Sequence, residues 1–315
     1  MQSWGEYISI FAFSLCKSVF LCYNKEKRKG VIGLRHYYIR VATFLLLLCC
    51  CLQLIACTSA QPAPFSVEVL DVGQSDCTLV RCDDTVLMID TGTATARSAV
   101  QVALQERKID RIDYLLLTHP HEDHVGNARM LLESYEVGEL ILPATGSEDF
   151  LYTVVLETAA ALEVLCTTAQ GGMTFSVGAA ILEILLSPAD ANDENLNNGS
   201  IISRILYGNT VFLFTGDAES EEELLLLSTV PAEKLDCHWF KAGHHGSDTA
   251  MSAELLAATT PAIVAISCGK DNDYGFPRET MLKRLEAVSA TWQRTDLQGT
   301  LRYISDGESV AFQED

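Results

Sequence analysis

From Phe65 onward the chain alternates short apolar runs with stretches of helical period, and Gly, Asp and Asn stand at the breaks. FSVEVLDVG, CTLVRC and TVLMIDTG predict three strands in a meander. ARSAVQVALQER then predicts a helix, RIDYLLLTH a buried strand, VGNARMLLESY a helix and GELILPA a strand. The second half repeats the style. AAILEILLSP, SIISRILYG and TVFLFTGD form another meander, AESEEELLLLS is a helix with an acidic start, and CHWFKAG, PAIVAISCG, ATWQRTD and TLRYIS are further strands separated by helices. Two meander-plus-βα halves predict an α/β fold in which two sheets pack face to face with helices outside. No linker separates the halves. The polar stretch Ala189 to Ser200 is the one long irregular segment, either a rim loop beside a site or a plain solvated loop.

The first 57 residues differ in kind. Lys25, Lys27, Arg28, Lys29, Arg35 and Arg40 precede the 17-residue apolar run VATFLLLLCCCLQLIAC, and the polar TSAQPAP follows, which is the layout of a secretory signal. The end of the run, Leu54-Ile55-Ala56-Cys57, looks like a bacterial lipobox, in which the Cys57 thiol receives the lipid. The expected organisation is a leader with a lipoprotein-type signal peptide at 1–57, a short linker at 58–64 and one folded domain at 65–315. That reading anchors the folded part by lipid to the extracellular face of a bacterial cell membrane. An uncleaved anchor helix and a buried helix are the competing readings of the same run.

Composition adds two constraints. Of 22 basic and 42 acidic residues, seven basic and two acidic ones precede position 58, so the remainder carries 15 basic against 40 acidic. Such a surface repels polyanions at long range, and its basic residues form no stripe along which a nucleic-acid backbone would track, so no strong independent nucleic-acid binding is expected. A phosphate substrate stays possible because metal ions can dominate the field of a cleft. Five cysteines lie beyond the leader and lipobox, Cys77, Cys82, Cys166, Cys237 and Cys268, with no C-x-x-C spacing, and they read as buried thiols rather than a disulfide framework.

The chemistry concentrates in LTHPHEDHVGN, Leu117 to Asn127. His119 and His121 are two apart, so in an extended segment both imidazoles project to one side; Asp123 and His124 follow where the chain turns into a helix. Burying this many titratable groups without a metal would cost several kcal/mol per unpaired group, roughly, so two adjacent metal ions are the natural reason for the cluster.

The pattern H-x-H-x-D-H resembles the signature of the metallo-β-lactamase superfamily. The resemblance extends from Phe65 to Asp315 and is nearer to one branch, the metallo-β-lactamase-like domain of ComEC-type competence (DNA-uptake) proteins. LDVGQSDCTLV, LMIDTG, LTHPHEDHVGN, NNGSIISRILYGNTVFLFTGD, FKAGHHGS and GKDNDYGFP carry it, in that order. It implies a four-layer αββα sandwich. It also implies that His119 and His121 hold a first divalent metal ion, Asp123 and His124 a second, and Asp217 of FTGD bridges both, one carboxylate spanning cations about 3.5 to 4 Å apart. Asp76, Asp90 and Ser200 match positions that steady the loops around the site.

Two departures from the family pattern stand out. No histidine lies between His124 and Asp217, where many members have one; the resemblance implies that one of the pair His244-His245 of HHGS supplies the missing ligand of the first site, the other supporting the ligands from behind or contacting the scissile group. His238, six residues before His244, reads as an ordinary core or surface histidine. Where the family usually has Y-G-H-P, this chain has Tyr274-Gly275-Phe276-Pro277, and a phenyl ring cannot coordinate. The second site is therefore expected to be open and weak, leaving one or two divalent ions, zinc or manganese.

The resemblance implies an exported, lipid-anchored metal-dependent hydrolase, a phosphodiesterase or nuclease of the competence type, with Asp123, His244 and His245 at the chemistry and a DNA-uptake channel as possible partner. A choline-phosphate or other small phosphoester hydrolase is the alternative substrate reading. A catalytically degenerate metal-binding or partner-binding module is the alternative of another class.

Overall fold

The computed structural model describes residues 41–43, 65–189 and 195–314. The chain divides into two compact units, Met1–Gln61 and Pro62–Asp315. In the first unit residues 41–43 are helical, while the rest of the leader with Cys57, and the linker at 58–64, lie outside the described residues. No helix among the described residues is long and apolar enough to cross a membrane.

The second unit holds two mixed sheets. In chain order the strands are β1 (Phe65–Val69), β2 (Thr78–Cys82), β3 (Thr85–Ile89), β4 (Arg111–Leu116), β5 (Glu136–Leu142), β6 (Leu165–Thr168), β7 (Thr174–Val177) and β8 (Ala180–Leu186), continuing with β9 (Ile202–Tyr207), β10 (Thr210–Phe214), β11 (Trp239–Lys241), β12 (Ile263–Ile266), β13 (Thr291–Arg294), β14 (Leu301–Ser305) and β15 (Val310–Gln313). The first sheet runs β15-β14-β1-β2-β3-β4-β5-β6 and the second β13-β12-β11-β10-β9-β8-β7. Each sheet starts as an antiparallel meander and turns parallel, from β3 onward in the first and from β10 onward in the second. The two halves also trade strands: β14 and β15 leave the second half and pair with β1 of the first.

Side-chain parity separates the layers. In β3, Leu87 and Ile89 face the opposite sheet while Met88 faces helices, and in β10 Phe212 and Phe214 face the sheet while Leu213 faces helices. Between the sheets Trp239 lies against Phe212, Phe214 and Tyr303, with ring centroids 5.7, 5.3 and 5.3 Å away. On the first sheet's outer face pack α1 (Arg97–Glu106), α3 (Ala128–Ser134) and α4 (Phe150–Ala161); on the second's pack α5 (Ser220–Thr229), α6 (Ala253–Thr259) and α7 (Glu279–Ala287). The one-turn helix α2 (Glu122–Val125) precedes α3. The result is the helix-sheet-sheet-helix sandwich that the pattern predicts.

The strands read from the sequence are all present; β6, β7, β15 and helix α4 are additions. β6 is exposed at three of its four positions and β7 is largely solvated, so neither has the apolar run that marks a covered strand. Four of the five cysteines are buried, whereas Cys166, in edge strand β6, is exposed. His238 is on the surface, and its Nδ1 accepts from the Val211 amide at 3.2 Å. In α5 the acidic start suits the positive end of a helix. Glu223 accepts from the Met251 and Ser252 amides, whereas Glu222, 2% exposed, has both carboxylate oxygens without a hydrogen-bond partner.

Candidate metal centre

The ends of parallel strands meet here, and each delivers one piece of the site. After β4, Leu117 and Thr118 lead into His119, Pro120 and His121, and α2 brings in Asp123 and His124. After β10, Thr215-Gly216 places Asp217; a Cβ on Gly216 (φ 53°) would lie 2.9 Å from both Ser200 Oγ and Thr118 Cβ, so only glycine lets the two sheets approach there. After β11, Ala242-Gly243 leads to His244 and His245, which both adopt left-handed backbone, at φ 46° and 53°.

Four ligand atoms, one each from Asp123, His124, Asp217 and His245, lie within 4.8 Å of one another. His124 Nε2 is 3.3 Å from Asp217 Oδ1, and His245 Nε2 is 3.1 Å from Asp123 Oδ2 and 3.5 Å from Asp217 Oδ2. Each imidazole is held from behind. His124 Nδ1 is 2.8 Å from Asp90 Oδ2, and His245 Nδ1 donates to the Ser267 carbonyl at 3.1 Å. Both acceptors fix the proton on Nδ1 and leave Nε2 facing the carboxylates. His119 follows the same logic: the Thr118 hydroxyl donates to Asp90 Oδ2 at 2.8 Å, so it accepts from His119 Nδ1 at 3.1 Å. His119 Nε2 then meets His121 Nδ1 at 3.0 Å, and the His119 ring lies against that of His124, centroids 4.1 Å apart.

The electrostatics favour a cation. Burial opposes charge on His124 and His245, but the surrounding carboxylates outweigh it: Asp217, Asp90 and Asp123 hold His124 well above the ordinary imidazole range, and Asp217 and Asp76 push His245 up to about 10. Burial and the neighbouring His124 charge keep His119 well below its ordinary value. Asp217, fully enclosed, is nevertheless held well below the usual carboxylate range by His124 and His245. Even so, His124 Nε2 and Asp217 Oδ1 are buried with no hydrogen-bond partner. Orphaned ligand atoms facing each other, in a set of two imidazoles and two carboxylates, fit a divalent metal ion.

Asp90, Ser200 and Asp76 lie around this group. Asp90 accepts from the Thr118 amide at 2.8 Å as well as holding His124. Ser200 Oγ accepts from the Asp217 amide at 3.1 Å. Asp76 Oδ1 is 3.2 Å from His245 Nδ1, and its other oxygen accepts from Lys241 Nζ at 2.8 Å. Lys241 is buried, and the sequence reading missed it; its one signal was a lone lysine in the apolar run HWFKAG.

The pair His244-His245 departs from expectation. His245 Nε2 lies beside Asp123 and Asp217, so on this geometry it would be a fourth donor on the side where Phe276 was expected to leave three. His244 stays half-buried at the mouth, its Nε2 3.8 Å from Asp217 Oδ2 and its Nδ1 3.2 Å from Glu219 Oε1. Phe276 packs edge-on against the His244 ring, centroids 5.7 Å apart. The sequence could not announce this arrangement, because it follows from two consecutive left-handed residues.

The family model described as the metallo-beta-lactamase superfamily matches residues 70–152 of this chain, the stretch that carries His119, His121, Asp123 and His124. Among individual proteins, the chain is similar to ComE operon protein 3 of Bacillus subtilis (strain 168), 28% identical over 255 residues that cover 75% of this chain and 32% of that protein. It is similar to Competence protein ComA of Neisseria gonorrhoeae as well, 28% identical over 239 residues covering 76% and 32%. The chain thus spans about a third of the length of these curated relatives. In fold it matches the crystal structure of the metallo-beta-lactamase fold protein YhfI from Bacillus subtilis, with a TM-score of 0.53 at 12% identity, over 76% of this chain and all of that one.

Proposed function

We propose that this protein is an exported metal-dependent phosphodiesterase or nuclease, anchored to the outer face of the cell membrane by lipid on Cys57 and working beside DNA uptake. The reading takes 1–57 as leader, 58–64 as linker and 65–315 as the hydrolase domain. The observation that carries it is the quartet Asp123, His124, Asp217 and His245, whose ligand atoms converge and in which the buried His124 Nε2 and Asp217 Oδ1 lack hydrogen-bond partners. His119, His121 and Asp217 are the residues that would hold a neighbouring ion. The competence names of the similar proteins support DNA as the substrate class, with a channel partner delivering the strand to a domain whose own charge does not attract it.

When bound, the divalent ions supply a nucleophilic hydroxide near neutral pH and positive charge for the phosphoryl oxygens. The protein's part is positional. Asp123, one-third exposed at its side chain, is the ligand that faces the open side and orients the attacking water. His244, turned by Glu219, presents Nε2 beside Asp217 and contacts the scissile phosphate. Asp90 fixes the His124 tautomer, so Asp90→Asn is expected to weaken metal binding about 10- to 100-fold, read by calorimetric titration of the metal-free protein.

The deciding experiment measures metal content together with hydrolysis of bis-p-nitrophenyl phosphate and of single-stranded DNA in added Mn²⁺ or Zn²⁺. Metal bound in at least one equivalent and metal-dependent cleavage are expected. A protein that binds metal, cleaves neither substrate and is indifferent to His119→Ala is the degenerate module instead. For the anchor, Cys57→Ala should release the protein from the membrane fraction; unchanged fractionation contradicts lipidation.

A further inference from the structure

The residue that replaces the family's histidine stands in a stack at the mouth of the site. Tyr274 and Phe276 lie ring on ring, centroids 5.5 Å apart at 21°, and Phe276 meets His244 edge-on at 5.7 Å. The Arg278 guanidinium carbon sits 5.5 Å from the Phe276 centroid. Tyr274 is 61% exposed, a large aromatic side chain that the fold leaves open to solvent.

The loop that carries the stack is tied down at several points. Asn272 Nδ2 donates to the Gly269 and Phe276 carbonyls at 2.8 and 2.7 Å, and Asn272 Oδ1 accepts from the Phe276 amide at 2.9 Å. Gln74 accepts from the Gly269 amide at 2.9 Å, and the Arg278 amide donates to the carbonyl of Gly246, next to His245. A preorganised aromatic platform therefore borders the centre, and little ordering remains to be done when a ligand stacks on it.

We infer that Tyr274 and Phe276 form a base-stacking subsite that holds a nucleobase of the substrate next to the phosphodiester at the metal centre. The inference rests on the phosphodiester reading above and names the substrate more narrowly. Every base offers a π-face, so such a platform gains affinity without reading sequence. Arg278 decides against the other ligand that aromatic rings recognise: a quaternary ammonium such as choline would be brought beside the guanidinium that lies 5.5 Å from the Phe276 ring. For a nucleotide that charge is favourable, because a phosphate accompanies each base.

The test is calorimetric binding, by the full chain in Mn²⁺, of a thymidine tetranucleotide with phosphorothioate links that slow cleavage. The same tetramer without bases is the comparison. The wild type should bind the base-bearing tetramer about tenfold more tightly, the worth of one stacked base. Tyr274→Ala should bring the two tetramers together, and Tyr274→Phe should keep them apart. Equal binding by the wild type, which requires no variant, overturns the inference. So does a base advantage that survives Tyr274→Ala in a variant with an unchanged melting midpoint, or displacement of the tetramer by phosphocholine more readily than by thymidine monophosphate. Hydrolysis of bis-p-nitrophenyl phosphate is followed separately. Cleavage of that ester without base preference removes this inference alone, whereas base preference without any cleavage removes the hydrolase reading alone.

Discussion

Asp217→Ala should empty the metal centre and abolish its chemistry. Asp217 is the side chain that both buried imidazoles face, with His124 Nε2 3.3 Å from one oxygen and His245 Nε2 3.5 Å from the other. Removing its carboxylate takes away both a donor and the charge that offsets cation repulsion. The variant is expected to purify with less metal and to hydrolyse phosphodiesters at least about a hundredfold more slowly, beyond the usual cost of losing a residue that merely supports a ligand. Its melting midpoint should no longer rise with added Mn²⁺ or Zn²⁺, whereas in the wild type an ion at a thousand times its Kd stabilises by about 4 kcal/mol. His238→Ala, at a surface histidine six residues before His244, is the control and should keep its metal. Full metal content in Asp217→Ala would refute the assignment.

The second large effect concerns stability and has the opposite sign. Burial, reinforced by the neighbouring Glu223 carboxylate, pushes Glu222 up to about 9. An acid whose pKa is raised in the folded state stays protonated there while the unfolded chain, near 4.5, has released its proton. Stability from this group is therefore fully present below about pH 4.5 and declines as pH rises toward 9. At pH 7 the cost is up to about 3 kcal/mol, and Glu222→Gln, which cannot ionise, should recover it. Urea unfolding of the two proteins at pH 5 and pH 8 measures this: the advantage of the variant should be small at the lower pH and large at the higher. Parallel curves at both values would mean that Glu222 is solvated after all.

Fold and ligands differed in how much of them the chain displays. The layers are legible because period-two parity at residues such as Leu87, Met88 and Ile89 assigns opposite faces, and H-x-H-x-D-H concentrates its donors within six residues. His245 was harder. Its candidacy as a donor is visible in HHGS, but the side chains it faces depend on backbone at φ 46° and 53°, a conformation with no one-residue signal other than the tolerance of histidine for it. Phe276 was read as a missing ligand; its neighbours in space are His244 and Tyr274, and a sequence pattern cannot supply that contact. Lys241 stands alone in an apolar strand, where no pattern marks it; in the fold Asp76 neutralises its charge inside the protein.

The pairing of β1 with β14 governs the order of assembly. Phe65 aligns with Ser305, so the domain's first strand cannot acquire both of its neighbours until almost the whole chain is available. Closure over so long a separation is slow, and until it happens β1 presents an unpaired edge. For the exported protein proposed above, such a delay would be useful: a nascent domain that cannot finish folding stays in a state that a translocation channel can thread.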